Sequence, residues 1–306
     1  MVSILVPCFN GERWIAETLD SALAQTWANI EIIVVDDGST DGSAAIVESY
    51  ADRGVKLIRQ ANRGSTAARN RAFAASRGEF IQFLDHDDII DPDKIAFQMA
   101  RLIEAPGSVA TAETGLFIDQ PSQAKFRAEP SWEDLEPLDW IRCLLDGCMI
   151  FTTIWLIPRV VAERAGAWNE TLSDHDDREY LTRVILSADR VLFCKGAKAL
   201  YRGGNPNSLS QRRNWISTFD SLALCERHIL GRFDQEDLRA RISLVWQRMA
   251  HDCYPYDPVL AERALARGRA LHPVSLGAYG GPRFNALRGI LGWRAARRLQ
   301  VMAGRR

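Results

Sequence analysis

The chain has 306 residues, 47% of them apolar and 25% charged, the balance of a soluble globular protein long enough to bury a sizeable core. Its formal net charge of −1 supplies no overall field for nucleic acid or an acidic polymer, so neither is expected as a partner. No apolar run reaches the length of a membrane-crossing helix, and Met1 leads almost directly into an apolar strand without a leader pattern, so a cytoplasmic protein is expected.

Val2 to Val6 is a short apolar run that predicts a buried strand ending at Pro7. Ile15, Leu19, Ala22 and Leu23 recur at helical spacing inside a predicted helix from about Glu12 to Gln25. Ile30 to Val35 predicts a second strand, apolar after Glu31 as in a sheet covered on both faces. Asp41 is read as the cap of a helix carrying Ile46, Val47 and Tyr50. Val55 to Ile58 follows as a third strand, Ser65 to Ser76 as a third helix, and Phe80 to Leu84 as a fourth strand. Asp91-Pro92 opens the next helix. After Arg101 the pattern loosens. Val109–Ala112 and Leu116–Ile118 predict short strands, Trp140–Leu145 a helix, Phe151–Ile157 a strand and Glu179–Ile185 a helix. Beyond Trp215 the chain reads as mostly helical, with a soft boundary near Ser210 after the loop Gly203-Gly204-Asn205-Pro206. The six cysteines have no Cys-x-x-Cys spacing and read as scattered buried thiols.

Strand alternating with helix four times implies right-handed crossovers and a largely parallel sheet, whose ligands bind beyond the carboxyl ends of the strands. Three acidic clusters lie at such ends or in loops. The carboxylates of Asp85-His86-Asp87-Asp88 would repel one another, a penalty that a hard cation such as Mg²⁺ or Mn²⁺ removes. A solvated turn is the other reading, but Asp91 already supplies the helix cap. Asp36-Asp37-Gly38-Ser39-Thr40-Asp41 suits either hydrogen bonding to a base or ribose, or simple turn chemistry. Asn62-Arg63-Gly64 with Ala68-Arg69-Asn70 suits a pyrophosphate at a helix start, or an exposed basic helix face. Asp174-His175-Asp176-Asp177 could supply a general base, a second metal site or a helix cap. A zinc site from His86 and His175 is disfavoured by their separation. No Gly-x-Gly-x-x-Gly follows the first strand and no Walker A loop is present, which counts against a dinucleotide oxidoreductase and a P-loop enzyme.

Taken together, several segments resemble the inverting glycosyltransferases of family 2, which have the GT-A fold. They are Ser3-Ile4-Leu5-Val6-Pro7-Cys8-Phe9-Asn10, Ser21 to Thr26, Glu31 to Asp41, Asn62-Arg63-Gly64, Ala68-Arg69-Asn70, and Asp85-His86-Asp87-Asp88 with Pro92. The resemblance covers about residues 2 to 103 strongly and thins towards 210. It implies an α/β fold with a mixed, mostly parallel sheet flanked by helices. Residues 1–103 would be the nucleotide-sugar half, 104–210 the acceptor half, and 211–306 a helical C-terminal extension. It further implies that Pro7 and Phe9 line the nucleotide pocket, Asp37 contacts the base and Arg69 lies near the nucleotide or its phosphates. Asp85-His86-Asp87 resembles the Asp-x-Asp motif, with Asp87 on the metal and Asp85 approaching ribose or sugar. Gly166 to Glu170 is similar to the segment before the family's Glu-Asp pair, which falls on Asp176-Asp177. Asp177 would be the catalytic base and Asp176 an acceptor contact. Two departures stand out: Asp176 replaces the usual glutamate, and Tyr201-Arg202-Gly203-Gly204-Asn205-Pro206-Asn207-Ser208 lacks the histidine of the family's Tyr-Arg-x-His-x-x-Ser pattern.

The expected activity is therefore inverting transfer of a sugar from a nucleotide diphosphate donor, a UDP-linked sugar first among them, to a hydroxyl of a glycan or lipid-linked acceptor, with Mn²⁺ or Mg²⁺. A sugar-1-phosphate nucleotidyltransferase would want a glycine-rich basic loop where Pro7 to Gly11 stands. An inactive nucleotide-sugar-binding paralogue is opposed by the intact Asp87 and Asp177. The tail from Arg283 to Arg306 holds seven arginines and no acid, with Leu287, Ile290, Leu291, Trp293 and Met302 between them. That composition suits either anionic lipid or packing on the protein itself or on a second subunit.

Overall fold

A computed structural model describes residues 1–204, 214–275 and 282–302, which cluster into two compact units, Met1–Arg212 and Arg213–Arg306. In chain order the first unit contains β1 (Val2–Cys8), α1 (Ile15–Leu23), β2 (Ile30–Asp36), α2 (Ser43–Glu48), β3 (Val55–Arg59), α3 (Ser65–Ala75), β4 (Phe80–Phe83), β5 (Ile89–Ile90) and α4 (Lys94–Leu102). It continues with β6 (Val109–Phe117), β7 (Lys125–Phe126), α5 (Pro137–Asp146), β8 (Ile157–Pro158), α6 (Arg159–Ala165), α7 (Asp176–Ser187) and β9 (Val191–Arg202).

The main sheet has the order β3-β2-β1-β4-β8, parallel throughout except for β8. All seven residues of β1 are buried, which explains its unbroken apolar character: a central strand with both faces covered has no solvent side to alternate with. A second sheet, β5-β9-β6-β7, runs β6 parallel to β9 with a bulge between Ala112 and Glu113. Glu113 Oε1 accepts from Gly196 N–H at 3.0 Å at that irregularity. The architecture is the mixed, mostly parallel α/β arrangement expected, with helices flanking the sheet and further helices towards the C-terminus.

Local readings differ at several places. Asp41 does not cap α2 from the N-cap position, which Gly42 holds; its Oδ1 instead accepts from Ser43 N–H at 3.0 Å. The helix after Asp91-Pro92 begins later, at Lys94, with Asp93 as its N-cap. The two short strands expected around 109–118 are one strand, β6. Phe151–Ile157 is not a strand: Thr152–Ile154 forms a 3₁₀ turn, Leu156 makes only an isolated bridge with Ala110, and ladder pairing is confined to Ile157 and Pro158.

The reason for that turn is a buried polar knot. The fully buried Lys94 Nζ donates to Gln98 Oε1 at 2.8 Å and to Gln82 Oε1. The amide nitrogens of Gln82 and Gln98 then donate to the carbonyls of Thr153, at 3.0 Å, and Ile154, at 2.8 Å. Side chains thus satisfy peptide groups that a strand would pair through a ladder. With no carboxylate in that hydrogen-bonded set, burial pushes the Lys94 ammonium down to about 7.

The second unit contains α8 (Trp215–Arg232), α9 (Glu236–Cys253), α10 (Pro258–Leu271) and α11 (Pro282–Met302). Asn214 and Asp257 cap α8 and α10 through side-chain acceptors for Ser217 N–H and Leu260 N–H. Gly268 lets α10 approach α9, since a Cβ there would lie 3.0 Å from the Ser243 carbonyl. Glu226 ties the unit's interior together, accepting from Trp246 Nε1 at 2.6 Å and from Arg267 Nε at 2.8 Å. α11 breaks at Gly292, whose φ of 74° is left-handed. Among the described residues no helix is long and apolar enough to cross a membrane. No disulfide joins the six cysteines. The boundary expected near Ser210 lies outside the described residues.

Candidate active site

β1, β2 and β4 are neighbours and parallel, so the segments after Cys8, Asp36 and Phe83 emerge at the same edge of the sheet. Backbone bonds bind these segments together: Asp37 N–H donates to the Cys8 carbonyl at 2.8 Å and Leu84 N–H to the Leu5 carbonyl at 3.0 Å. Asn10 Oδ1 accepts from Thr40 N–H at 2.8 Å, which ties the loop after β1 to that after β2. A Cβ on Gly11 would sit 2.5 Å from Cδ2 of His86, so glycine is what lets the His86 ring lie against the first loop. Among the described residues only Asn10 and His175 have a positive φ without being glycine, at 50° and 55°, and each lies in a loop contributing to this region. Such strain concentrates at functional sites.

Pro7 is buried within β1, whereas Phe9, just past its end, keeps 40% of its surface exposed. Asp37 is buried, and its carboxylate organises the loop opposite. Oδ1 accepts from Gln60 Nε2 at 2.7 Å and Arg63 N–H at 2.9 Å, while Oδ2 accepts from Gly64 N–H at 2.8 Å. One lone pair on Oδ2 is left over from this set.

The decisive contact is long-range. Arg69, on α3 and buried, donates through Nη2 to Asp85 Oδ1 at 2.7 Å and through Nη1 to Asp176 Oδ2 at 2.8 Å. Its guanidinium carbon lies 4.5 Å from the ring centre of Trp168, which stacks on Tyr180 at 4.0 Å. Asn70 and Glu170 fasten the same region: Asn70 Nδ2 donates to the Trp168 carbonyl at 2.9 Å and to Glu170 Oε1 at 3.0 Å. Arg63 pairs with Glu170 at 2.8 Å. One arginine thus joins the acidic turn after β4 to the start of α7, 107 residues further along from its own position.

Asp177 follows as the second residue of α7 and is half-buried. Burial, then the Asp176 carboxylate beside it, pushes its carboxyl up to about 7, against the lowering effect of the Arg178 N–H and of Arg69. Asp85, His86 and Asp87 are half-buried, but Asp88 is buried and faces inward. Its Oδ2 accepts from Thr153 Oγ1 at 2.6 Å and its Oδ1 from Arg202 N–H at 3.0 Å. Burial and the neighbouring Asp87 and Asp85 hold its carboxyl well above the usual range. Asp88 is therefore a buttress of the turn, and the rim presents Asp85, His86 and Asp87.

The family model for glycosyl transferase family 2 matches residues 3–164, more than half of the chain. The chain belongs to glycosyl transferase family 2. A Rickettsia typhi relative, an uncharacterized glycosyltransferase, is 34% identical over 184 residues, covering 58% of this chain and 56% of that protein. The uncharacterized glycosyltransferase EpsJ of Bacillus subtilis is 34% identical over 223 residues, covering 69% of this chain and 63% of that protein. The chain thus spans less than two thirds of either relative. Among solved structures, S. aureus TarS 1–349 in complex with UDP-GlcNAc aligns with a TM-score of 0.72 at 17% identity, over 99% of this chain and 92% of that one. The mannosyltransferase PcManGT of Pyrobaculum calidifontis, in complex with GDP-Man and Mn²⁺, aligns with a TM-score of 0.55 at 16% identity, over 100% and 88% of the two chains. At these identities the structures share a fold with the family 2 chain.

Sequence reasoning noted Arg202 only within the Tyr-Arg pattern and missed Glu17, Thr18 and Thr153, which with it hold the acidic turn. Those three carry no local signal, because each acts through an interaction between elements distant in sequence.

Proposed function

We propose that this chain transfers a sugar from a nucleotide diphosphate donor to an acceptor hydroxyl, in a metal-dependent single displacement that inverts the anomeric centre. The observation that carries the reading is Arg69 holding Asp85 and Asp176 together, with Asp177 beside them and its carboxyl pushed up to about 7. A base is most effective when its pKa lies near the working pH.

On the donor side, Pro7 and the exposed Phe9 would meet the base, and the remaining lone pair of Asp37 Oδ2 would accept a base N–H. The solved relatives in fold with UDP-GlcNAc and with GDP-Man and Mn²⁺ support a nucleotide sugar and a divalent cation here. Among the described residues no three His, Cys, Asp or Glu side chains form a cage for a metal. That suits a cation carried by its diphosphate, which takes only one or two protein carboxylates and fills its shell with phosphate and water oxygens. Asp87 would be that ligand, and the bound Mn²⁺ or Mg²⁺ would supply Lewis-acid neutralisation of the departing diphosphate.

On the acceptor side, Asp176 would orient the incoming hydroxyl, restrained by its bond from Arg69. Asp177 takes the hydroxyl proton onto a carboxylate oxygen as the acceptor oxygen bonds to the anomeric carbon. The bond to the diphosphate oxygen breaks on the opposite face. Leu287, Ile290 and Leu291 fall at i, i+3 and i+4 on α11 and are exposed, within a stretch whose only charges are arginines. This supports contact with anionic lipid, and through it a lipid-linked acceptor.

The test is a panel of uridine, guanosine and thymidine diphosphate sugars with Mn²⁺ or Mg²⁺, scored by thermal shift and by released nucleotide. A matching donor should stabilise the protein and yield a nucleoside diphosphate. Release of pyrophosphate, or no stabilisation by any donor, overturns the reading.

A further inference from the structure

Every peptide carbonyl of the acidic turn is engaged. Asp88 N–H donates to the Asp85 carbonyl at 3.1 Å, and Thr18 Oγ1 lies 2.9 Å from the carbonyls of both His86 and Asp88. The Asp87 carbonyl accepts from Arg202 Nε at 2.9 Å. Arg202 is the last residue of β9 and is buried, so the residue that grips Asp87 comes from the far end of the first unit's sequence.

The grip is unusually constrained. The guanidinium carbon lies 4.2 Å from the ring centre of Trp14 and 4.4 Å from that of Phe117, sandwiched between two aromatic faces. Nη2 pairs with Glu17 of α1, and the backbone N–H of Arg202 donates to Asp88 Oδ1 at 3.0 Å. Among the described residues, buried Nη1 has no hydrogen-bond partner. An arrangement that devotes two aromatic faces and a carboxylate to fixing one peptide is explained by what that peptide carries.

We infer that Arg202 is a positioning residue for the divalent cation, fixing the peptide of Asp87 so that its carboxylate is aimed before cation and diphosphate arrive. The inference rests on the reading of Asp87 as the cation's protein ligand. The three constraints on the guanidinium are planar and directional: a flat face between two rings, Nε towards one carbonyl and Nη2 towards one carboxylate. A lysine ammonium keeps the charge but cannot meet all three at once.

The experiment compares Mn²⁺ binding, followed by the paramagnetic signal of the free ion, in the presence of UDP or GDP, for the wild type, Arg202→Lys, Glu17→Gln and Asp87→Ala. Arg202→Lys should weaken nucleotide-dependent Mn²⁺ binding by about 10–100-fold, the range for losing a partner that orients a metal ligand. In turnover, the Mn²⁺ concentration for half-maximal rate should rise by the same factor, with kcat largely recovered at saturating Mn²⁺. Glu17 is half-exposed, so Glu17→Gln leaves the core intact and should shift binding in the same direction by a smaller factor, which reads the effect even where Arg202→Lys unfolds. If Asp87→Ala loses Mn²⁺ binding while Arg202→Lys and Glu17→Gln bind as wild type, Arg202 is a structural brace and the inference fails alone. If Asp87→Ala binds Mn²⁺ as the wild type does, the metal reading fails and takes this inference with it.

Discussion

Arg69→Met removes the guanidinium that holds Asp85 and Asp176 together, while keeping most of the side chain's volume against Trp168. The Arg69 side chain is 7% exposed, Asp176 12% and Asp85 29%. Breaking a buried charge pair from one side costs about 3–5 kcal/mol, because the partner is left uncompensated. The exposure of Asp85 argues for the low end, about 3 kcal/mol, or a fall of roughly 6–12 °C in the melting temperature of a unit this size. Asp176→Asn added to Arg69→Met should return a part of that loss, since it removes one of the carboxylates now facing each other. Catalysis should respond through pH. With Asp177 as the proposed base its carboxylate is the active form, so the rate should rise as pH climbs through about 7. Arg69 lowers that midpoint, and removing a nearby cation disfavours the charged form, so the limb should move in the alkaline direction. The assay is kcat/KM across neutrality alongside thermal unfolding of the single and double variants. A variant that melts as the wild type does, or a limb that stays in place or moves to acid, refutes the reasoning.

Asp87→Ala should abolish transfer with the fold intact, and excess chelator should reproduce the loss in the wild type, reversed by added Mn²⁺ or Mg²⁺; full activity in chelator excludes the metal assignment. Full-length protein should cosediment with anionic vesicles and a chain ending at Gly281 should not, because Leu287, Ile290, Leu291 and the arginines go with the tail. Equal cosedimentation of the two would show that the tail packs elsewhere.

Much of the first half was legible because its signals are local. β1 and β2 are unbroken apolar runs, α1 repeats apolar residues at helical spacing, and the acidic turns fall directly after strands. The order and spacing of Pro7, Asp37, Arg69 and Asp85 to Asp88 then pointed to one family. What could not be read was decided by partners far away in the chain. Phe151–Ile157 has the composition of a buried strand, but the amides of Gln82 and Gln98 claim its carbonyls and curl it into a turn. β9 went unread because Lys195 and Gly196 interrupt its alternation, and only the bulge against β6 accommodates them. Arg69 could be placed near the nucleotide, yet nothing local reveals that it bridges Asp85 to Asp176. By sequence Asp88 reads as a third rim carboxylate, but Thr153 and Arg202 draw it inward. In α11, Arg294 and Arg298 fall among apolar positions of a continuous helical projection. The break at Gly292 separates the two halves, and these arginines lie over Tyr254, at 6.0 and 5.2 Å, leaving Ile290 and Leu291 exposed.

The central claim is that Asp177 removes the acceptor's proton, and Asp177→Asn tests it most directly because it preserves shape while deleting the proton acceptor. With donor and Mn²⁺ saturating, sugar transfer should fall by about two to four powers of ten, the range for losing a positioned base, while donor binding changes little. Asp176→Asn should cost less and Asp174→Asn least, and the wild-type product should have the anomeric configuration opposite to the donor's. Equal losses at all three aspartates, or a product that retains the donor's configuration, would contradict the account.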